Sequence, residues 1–359
     1  MRSTLRTSHS TRPAQLGSRS AFTLIELIVV IMIIAILSSL LMVGVQSAVG
    51  RAREAAVGVD VKNLEQGIKE FQSKFSVSEP PPSALILFED ADDWADFTAG
   101  MNTQQNVALI RRLWPSFLKS NGKPDINNDG MVNGSDNIDI NGNGTIDTTP
   151  IRLNGAECLV FFLGGIMEID GSNYIPRGFS TNPLNPFYRP AMPTDSWGTR
   201  IGPFTEFRPS RLADDPFGGT DGMPVYRDAF PNSITPYQYF SSYGGRGYRL
   251  SGFDGVSSTT AEQLDDEVLW IDATTPTLRS VYLQKDNNYS MGGTAAITGA
   301  AWNPKGFQII SAGADGQWGV GGLYKEAGIP TDGTGAYRQY SARSPELDNI
   351  TNFKGGRLN

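Results

Sequence analysis

The sequence predicts an α+β fold in which a long N-terminal helix packs on a small antiparallel sheet, with extended loops and insertions. Three observations predict it. An apolar run starts at Phe22 and continues, with few interruptions, to Val45. An apolar stripe of helical spacing follows, from Val57 to Phe75. Beyond Pro82 the signals change to short helices and strands set among loops rich in glycine and proline, of which the chain has 40 and 22.

The first element in order is a polar, basic segment, residues 1–21, with Arg2, Arg6, Arg12 and Arg19 and no acid. The run after it, Phe22 to Leu37, is apolar except for Thr23 and Glu26; Ser38 and Ser39 interrupt it, and Leu40 to Val45 resumes. At about 24 residues it is long enough to cross a bilayer as a helix. A secretory signal has a shorter apolar core and is cut after it. Here the small residue Ala21 stands before the core, so a cut there would leave the core in place. Basic residues ahead of the span put the N-terminus on the cytoplasmic side. An acid such as Glu26 inside a membrane-length segment is costly, which marks it as functional.

The helix is expected to continue beyond the membrane. Val57, Val61, Leu64, Ile68, Phe71 and Phe75 fall on one helical face, with Arg51, Arg53, Glu54, Asp60, Lys62, Glu65, Lys69 and Glu70 at other positions. Glu79-Pro-Pro-Pro82 ends it, because proline cannot continue a helix. A continuous helix from Phe22 to Phe75 would be ~80 Å long, and Gly44, Gly50, Gly58 and Gly67 are its softer points. The implied division is 1–21 as leader, 22–78 as membrane and assembly helix, and 79–359 as a globular domain with an insertion near 125–147. Within that domain Asn106 to Leu118 reads as a helix broken at Pro115, and Gly155 to Leu163 as a helix stopped by Gly164-Gly165. Tyr237 to Phe240 and Phe307 to Ser311 read as strands, and Val268 to Ile271 as a weaker one.

Composition excludes several functions. The net charge of −7 falls to −11 if the four leader arginines are removed, which argues against nucleic acid as a partner. Cys158 is the only cysteine, so no intramolecular disulfide can form. The only histidine, His9, lies in the leader, so a chain starting at Phe22 has no imidazole for Ser-His-Asp or Cys-His catalysis or for zinc. No paired-acid motif stands out either, and the chain is not expected to be an enzyme.

Asp125 to Asp136 fits a calcium loop. Asp125, Asn127, Asp129, Asn133 and Asp136 occupy loop positions 1, 3, 5, 9 and 12, with Gly130 at the sharp turn and the carbonyl of Met131 at position 7. The acid at the twelfth position resembles dockerin-type loops. A partial copy follows with Asp139, Asn141, Asn143 and Asp147, but its twelfth position is Pro150, which has no ligating side chain. No helix fits between the copies, so the dockerin resemblance stops at the loop and no cohesin partner is expected. The plainer alternative is a surface turn rich in Asn, Asp and Gly.

The order Ala21-Phe-Thr-Leu-Ile-Glu26-Leu resembles the N-terminus of type IV pilins and type II secretion pseudopilins. The resemblance implies a prepilin leader cut between Ala21 and Phe22 by a prepilin peptidase, which also methylates the new N-terminus. Ala21 stands where the family usually has glycine. It further implies that Phe22 and Glu26 serve assembly with other pilin or pseudopilin subunits on an inner-membrane platform, membrane attachment through residues 22–45, and an extracytoplasmic domain. Phe307 to Gly319 and Asp348-Asn-Ile-Thr-Asn-Phe353 resemble two segments that together hold calcium in the major pseudopilin. Carried over, Asp315 and Asp348 are the side-chain ligands and Ser311 a carbonyl ligand, with Asn349 where the family has a second Asp. Asp215-Pro-Phe-Gly218 with Pro236-Tyr-Gln-Tyr239 resembles a further family segment, for which Asp195-Ser-Trp-Gly198 competes. The expected role is a filament subunit stabilised by calcium; the alternative is a membrane-anchored calcium-binding module that does not polymerise.

Overall fold

The computed structural model describes residues 23–95, 103–192, 194–215, 221–230, 233–243, 248, 281–284, 301–319, 321–325 and 343–358. The weak strand expected at Val268 to Ile271 lies outside these residues, as do Ala21 and Phe22. The chain is α+β, a long N-terminal helix with small, mostly antiparallel sheets. In order the elements are α1 (Leu24–Phe75), β1 (Leu85–Leu87), α2 (Thr103–Leu113), β2 (Ile151–Leu153), α3 (Gly155–Gly164), β3 (Met167–Asp170), β4 (Asn173–Pro176), β5 (Phe179–Ser180), β6 (Arg200–Ile201), β7 (Leu212–Asp214), β8 (Pro224–Tyr226), β9 (Gln238–Ser241), β10 (Tyr282–Leu283), β11 (Phe307–Ser311), β12 (Gly322–Leu323) and β13 (Ile350–Thr351). The chain divides into two compact units, Met1–Arg51 and Ala52–Asn359.

In the first unit α1 presents an apolar surface on every side. Leu24, Ile31, Leu40 and Met42 are all more than half exposed. By length and composition this segment can cross a membrane. A helix apolar all round needs a nonpolar surrounding, and water does not supply one.

In the second unit the predicted stripe is the spine of the core. Val57, Val61, Leu64, Ile68 and Phe71 are buried, and Phe75 packs against them. Phe71 meets Phe75, Phe162 and Phe204 at ring-centroid distances of 4.5, 5.4 and 5.5 Å, near the separations aromatic pairs favour. Gly67 allows the helix to approach this closely, since a Cβ there would lie 3.0 Å from the carbonyl oxygen of Phe204. Asp60 adds a polar tie: it pairs with Arg211 at 2.7 Å and accepts the Tyr237 hydroxyl at 3.0 Å.

Local signals fix the shorter elements. Asn154 caps α3 by accepting from the amides of Ala156 and Glu157, and Glu157 returns a bond to the Asn154 amide, which completes a capping box. Gly165, with φ of 71°, closes the helix through a bond from its amide to the Phe161 carbonyl. α2 stops at Leu113 rather than running to Leu118, because Pro115 disfavours helical backbone in the residue before it.

The largest sheet has the order β13-β11-β9 and is antiparallel. Successive side chains of a strand face opposite ways, and the Phe307 to Ser311 strand uses both faces. Ile309 joins the core that holds α1, and Ile310 joins a second core with Phe240, Tyr282 and Trp318. Gln308 is fully buried and bonds the amide and carbonyl of Tyr282, standing in for a strand partner. Asn106 does the same for Ile86 of β1, at 3.1 and 2.7 Å. Such side chains satisfy strand edges that pairing leaves open.

Replacing Phe71 with alanine should destabilise the second unit by about 3–5 kcal/mol, the cost of removing a buried ring. Denaturant unfolding of the chain in detergent micelles checks this; a loss below 1 kcal/mol would refute the stripe as the core's spine.

Candidate functional site

Three groups of predicted residues can be located. At the N-terminus, Thr23 precedes α1 and forms a capping box with Glu26. The Thr23 amide and hydroxyl donate to Glu26 Oε2 at 2.8 and 2.9 Å, and the Glu26 amide donates to Thr23 Oγ1 at 3.3 Å. The Glu26 carboxylate is therefore held by its own helix start, a role the spacing Thr-x-x-Glu before an apolar run signals.

The second group is the loop Asp125 to Asp136, anchored by burial of Asp125 and Asp136. Asp136 accepts from the amides of Ile126 at 2.9 Å and Asn133 at 3.1 Å. Asp125 accepts from Asp129 and from Gly130, both at 3.2 Å. Asn127, Asp129 and Asn133 turn their side-chain oxygens back to the amides of Asp129, Met131 and Ser135. Gly130 takes φ of 83°, as its place at the turn demands. Lys119 approaches Asp125 to 3.6 Å. The Met131 side chain is exposed and takes no part in the loop's interior.

The adjoining loop Asp139 to Asp147 folds alike. Asp139 accepts from the amides of Gly142 and Gly144, Asn141 from Asn143, and Asn143 from Thr145. Asp147 accepts the side-chain amides of Asn141 and Asn143. The donor set of both loops is oxygen alone, which suits calcium rather than a soft metal. Among the described residues no three acidic, histidine or cysteine side chains converge as a metal cage, the carboxylates of Asp125, Asp129 and Asp136 included.

The third group lies at the C-terminal sheet. Asp348 accepts the amides of Ala314 and Asp315 at 2.6 and 3.2 Å, which brings the Asp315 and Asp348 segments together. The other Asp348 oxygen, Oδ1, is enclosed with no hydrogen-bond partner among the described residues, a position that fits a cation. Partial desolvation, with the Asp348 carboxylate nearby, pushes the carboxyl of the exposed Asp315 up. Ser311 is buried, its hydroxyl donating to Asp228. Asn349 is buried too and donates to the Tyr282 hydroxyl and the Trp318 carbonyl. Glu346 is bound by Arg343 at 2.7 Å and so is already committed. Asp215 accepts from Asn154, the cap of α3, and Tyr239 donates to the Pro81 carbonyl, so both work in the scaffold.

Among the described residues α1 is the one helix long and apolar enough to cross a membrane, as a membrane-anchored protein requires, and the second unit is an α+β domain. The prokaryotic N-terminal methylation motif matches residues 17–42. Motif and helix are consistent with a type IV pilin-like protein, and the motif is the kind that prepilin peptidase processes. No curated protein and no solved structure matches the chain.

Asp228 yields a pH prediction. Burial pushes its carboxyl up to about 6. The folded chain then holds this proton more tightly than the unfolded one. Its stabilising contribution is complete below pH ~4 and is lost as pH rises through about 6. Asp228→Asn should remove this slope, gaining stability over the wild type at pH 8 compared with pH 4. Unfolding midpoints at pH 4, 6 and 8 that run parallel in the two proteins would refute it.

Proposed function

We propose that this chain is a structural subunit of a type IV pilus-like filament, either a type II secretion pseudopilus or a type IV pilus. The match of residues 17–42 to the methylation motif, continuous with an exposed apolar helix, carries this reading. The leader keeps the chain in the inner membrane, with its domain on the extracytoplasmic side, until the peptidase cuts at Ala21–Phe22. The new ammonium at Phe22 then finds Glu26 of a neighbouring subunit as its counter-charge. Two charges in apolar surroundings pair strongly, and either one left alone is costly, so the pair sets axial register. In the single chain Glu26 is occupied by Thr23, and assembly exchanges that bond for the ammonium.

Calcium belongs to the same reading. Asp125, Asn127, Asp129, Asn133, Asp136 and the Met131 carbonyl would hold one ion, the Asp139 to Asp147 loop a second, and Asp315, Asp348 and the Ser311 carbonyl a third. Bound calcium neutralises the carboxylates and fixes loops that have little apolar core of their own.

The second reading, an anchored calcium-binding module that never polymerises, is favoured by one observation: Glu26 is satisfied within its own chain.

Mass spectrometry of the mature protein should find N-methylated Phe22 at its start; an intact Met1 would sink the filament reading. Glu26→Val should abolish filaments while leaving the chain in the membrane fraction, whereas unaltered filament yield would refute register setting by Glu26. Chelation should lower the thermal midpoint of the domain, and an unchanged midpoint would overturn the calcium reading.

A further inference from the structure

The two loops are related by a constant offset. Adding 14 to each number carries Asp125, Asn127, Asp129, Gly130 and Asn133 onto Asp139, Asn141, Asn143, Gly144 and Asp147. Conformation follows sequence: Gly130 and Gly144 both have φ of 83°, and Asn128 and Gly142 are both left-handed. The correspondence fails at the twelfth position, where Asp136 maps onto Pro150.

The work of Asp136 is nevertheless done in the second loop. In the first, Asp136 receives the amides of Ile126, Asn127 and Asn133, at 2.9, 3.5 and 3.1 Å. The corresponding amides in the second are those of Ile140, Asn141 and Asp147. All three donate to Glu89, at 2.7, 3.0 and 2.9 Å, the first two to Oε1 and the third to Oε2. The division between the two carboxylate oxygens is the same as in Asp136. Glu89 is 1 % exposed and sits two residues beyond β1. Its segment is tied alongside the loops, since the Glu89 carbonyl accepts the Ile138 amide and the Ala91 amide donates to Asn137. Arg189, the cation beside it, spends its guanidinium on the carbonyls of Asp139 and Ile140 rather than on a carboxylate.

We propose that Glu89 is the twelfth-position carboxylate of the second calcium loop, supplied from a distant part of the chain in place of Pro150. This rests on the calcium reading of the two loops. The side chain at this position of a calcium loop is usually a glutamate that gives both oxygens to the ion, and Glu89 has the longer side chain that Asp136 lacks. The second loop is then a complete oxygen site, and calcium there couples the insertion to the β1 segment.

The test is calorimetric calcium titration of the full chain, stripped of metal, in detergent micelles. Wild type, Glu89→Gln, Asp136→Asn and the double variant are compared. Each single variant should lose one calcium equivalent and the double variant two. Loss in Asp136→Asn with unchanged uptake in Glu89→Gln would overturn the role of Glu89 and leave the calcium reading standing. A wild type whose uptake matches the double variant would overturn both. A purely structural Glu89 would lower the melting temperature of the calcium-free protein but keep the rise that calcium produces. Glu89→Asp, which retains the charge, should restore folding with weakened uptake; uptake equal to wild type in Glu89→Gln at matched folding counts against the proposal.

Discussion

The fold depends on the burial of one helical face, Val57 to Phe71 of α1. Among the described residues no strand is longer than five residues, and most sheets are isolated pairs. Two-stranded ribbons of this size are not stable alone in water. They are held here because each brings apolar residues to a core that α1 runs through: Leu85 and Leu87 from β1, Ile151 and Leu153 from β2, Phe179 from β5, Tyr239 from β9. The helix is the shared partner, and the sheets are arranged around it.

That dependence explains what was readable in advance. The stripe, α3 with its glycine stop and the Phe307 to Ser311 strand are carried by spacing and by adjacent residues, and all three stand where the sequence placed them. β5 and β6, two residues each, are set by a pairing between Phe179 and Ile201 that no local pattern contains. The tie from Asp60 to Arg211 spans 151 positions and is equally invisible from spacing.

The candidate sites divide the same way. The first loop is a contiguous motif, and its turn at Gly130 falls where the spacing puts it. The capping box of Thr23 and Glu26 was equally local, but an acid in a membrane segment draws attention to distant partners and away from its neighbour three residues back. Glu89 could not have been found from sequence, because a lone glutamate after a short strand carries no sign of the loop it meets. Asp315 and Asp348 are far apart in sequence and came together only through resemblance; the pairing of β11 with β13 supplies the physical reason.

The two loops also differ in the length of chain that must close to form them. Asp136 reaches an amide ten residues away, whereas Glu89 reaches one 51 residues away. Closing the longer span costs about 1.4 kcal/mol more chain entropy. The first loop is closed by hydrogen bonds within its own dozen residues. The second is closed only when the segment beyond β1 meets it across that longer span. Two copies of one design thus differ in reach: one is closed by its own residues, while the other ties a distant segment of the domain to itself.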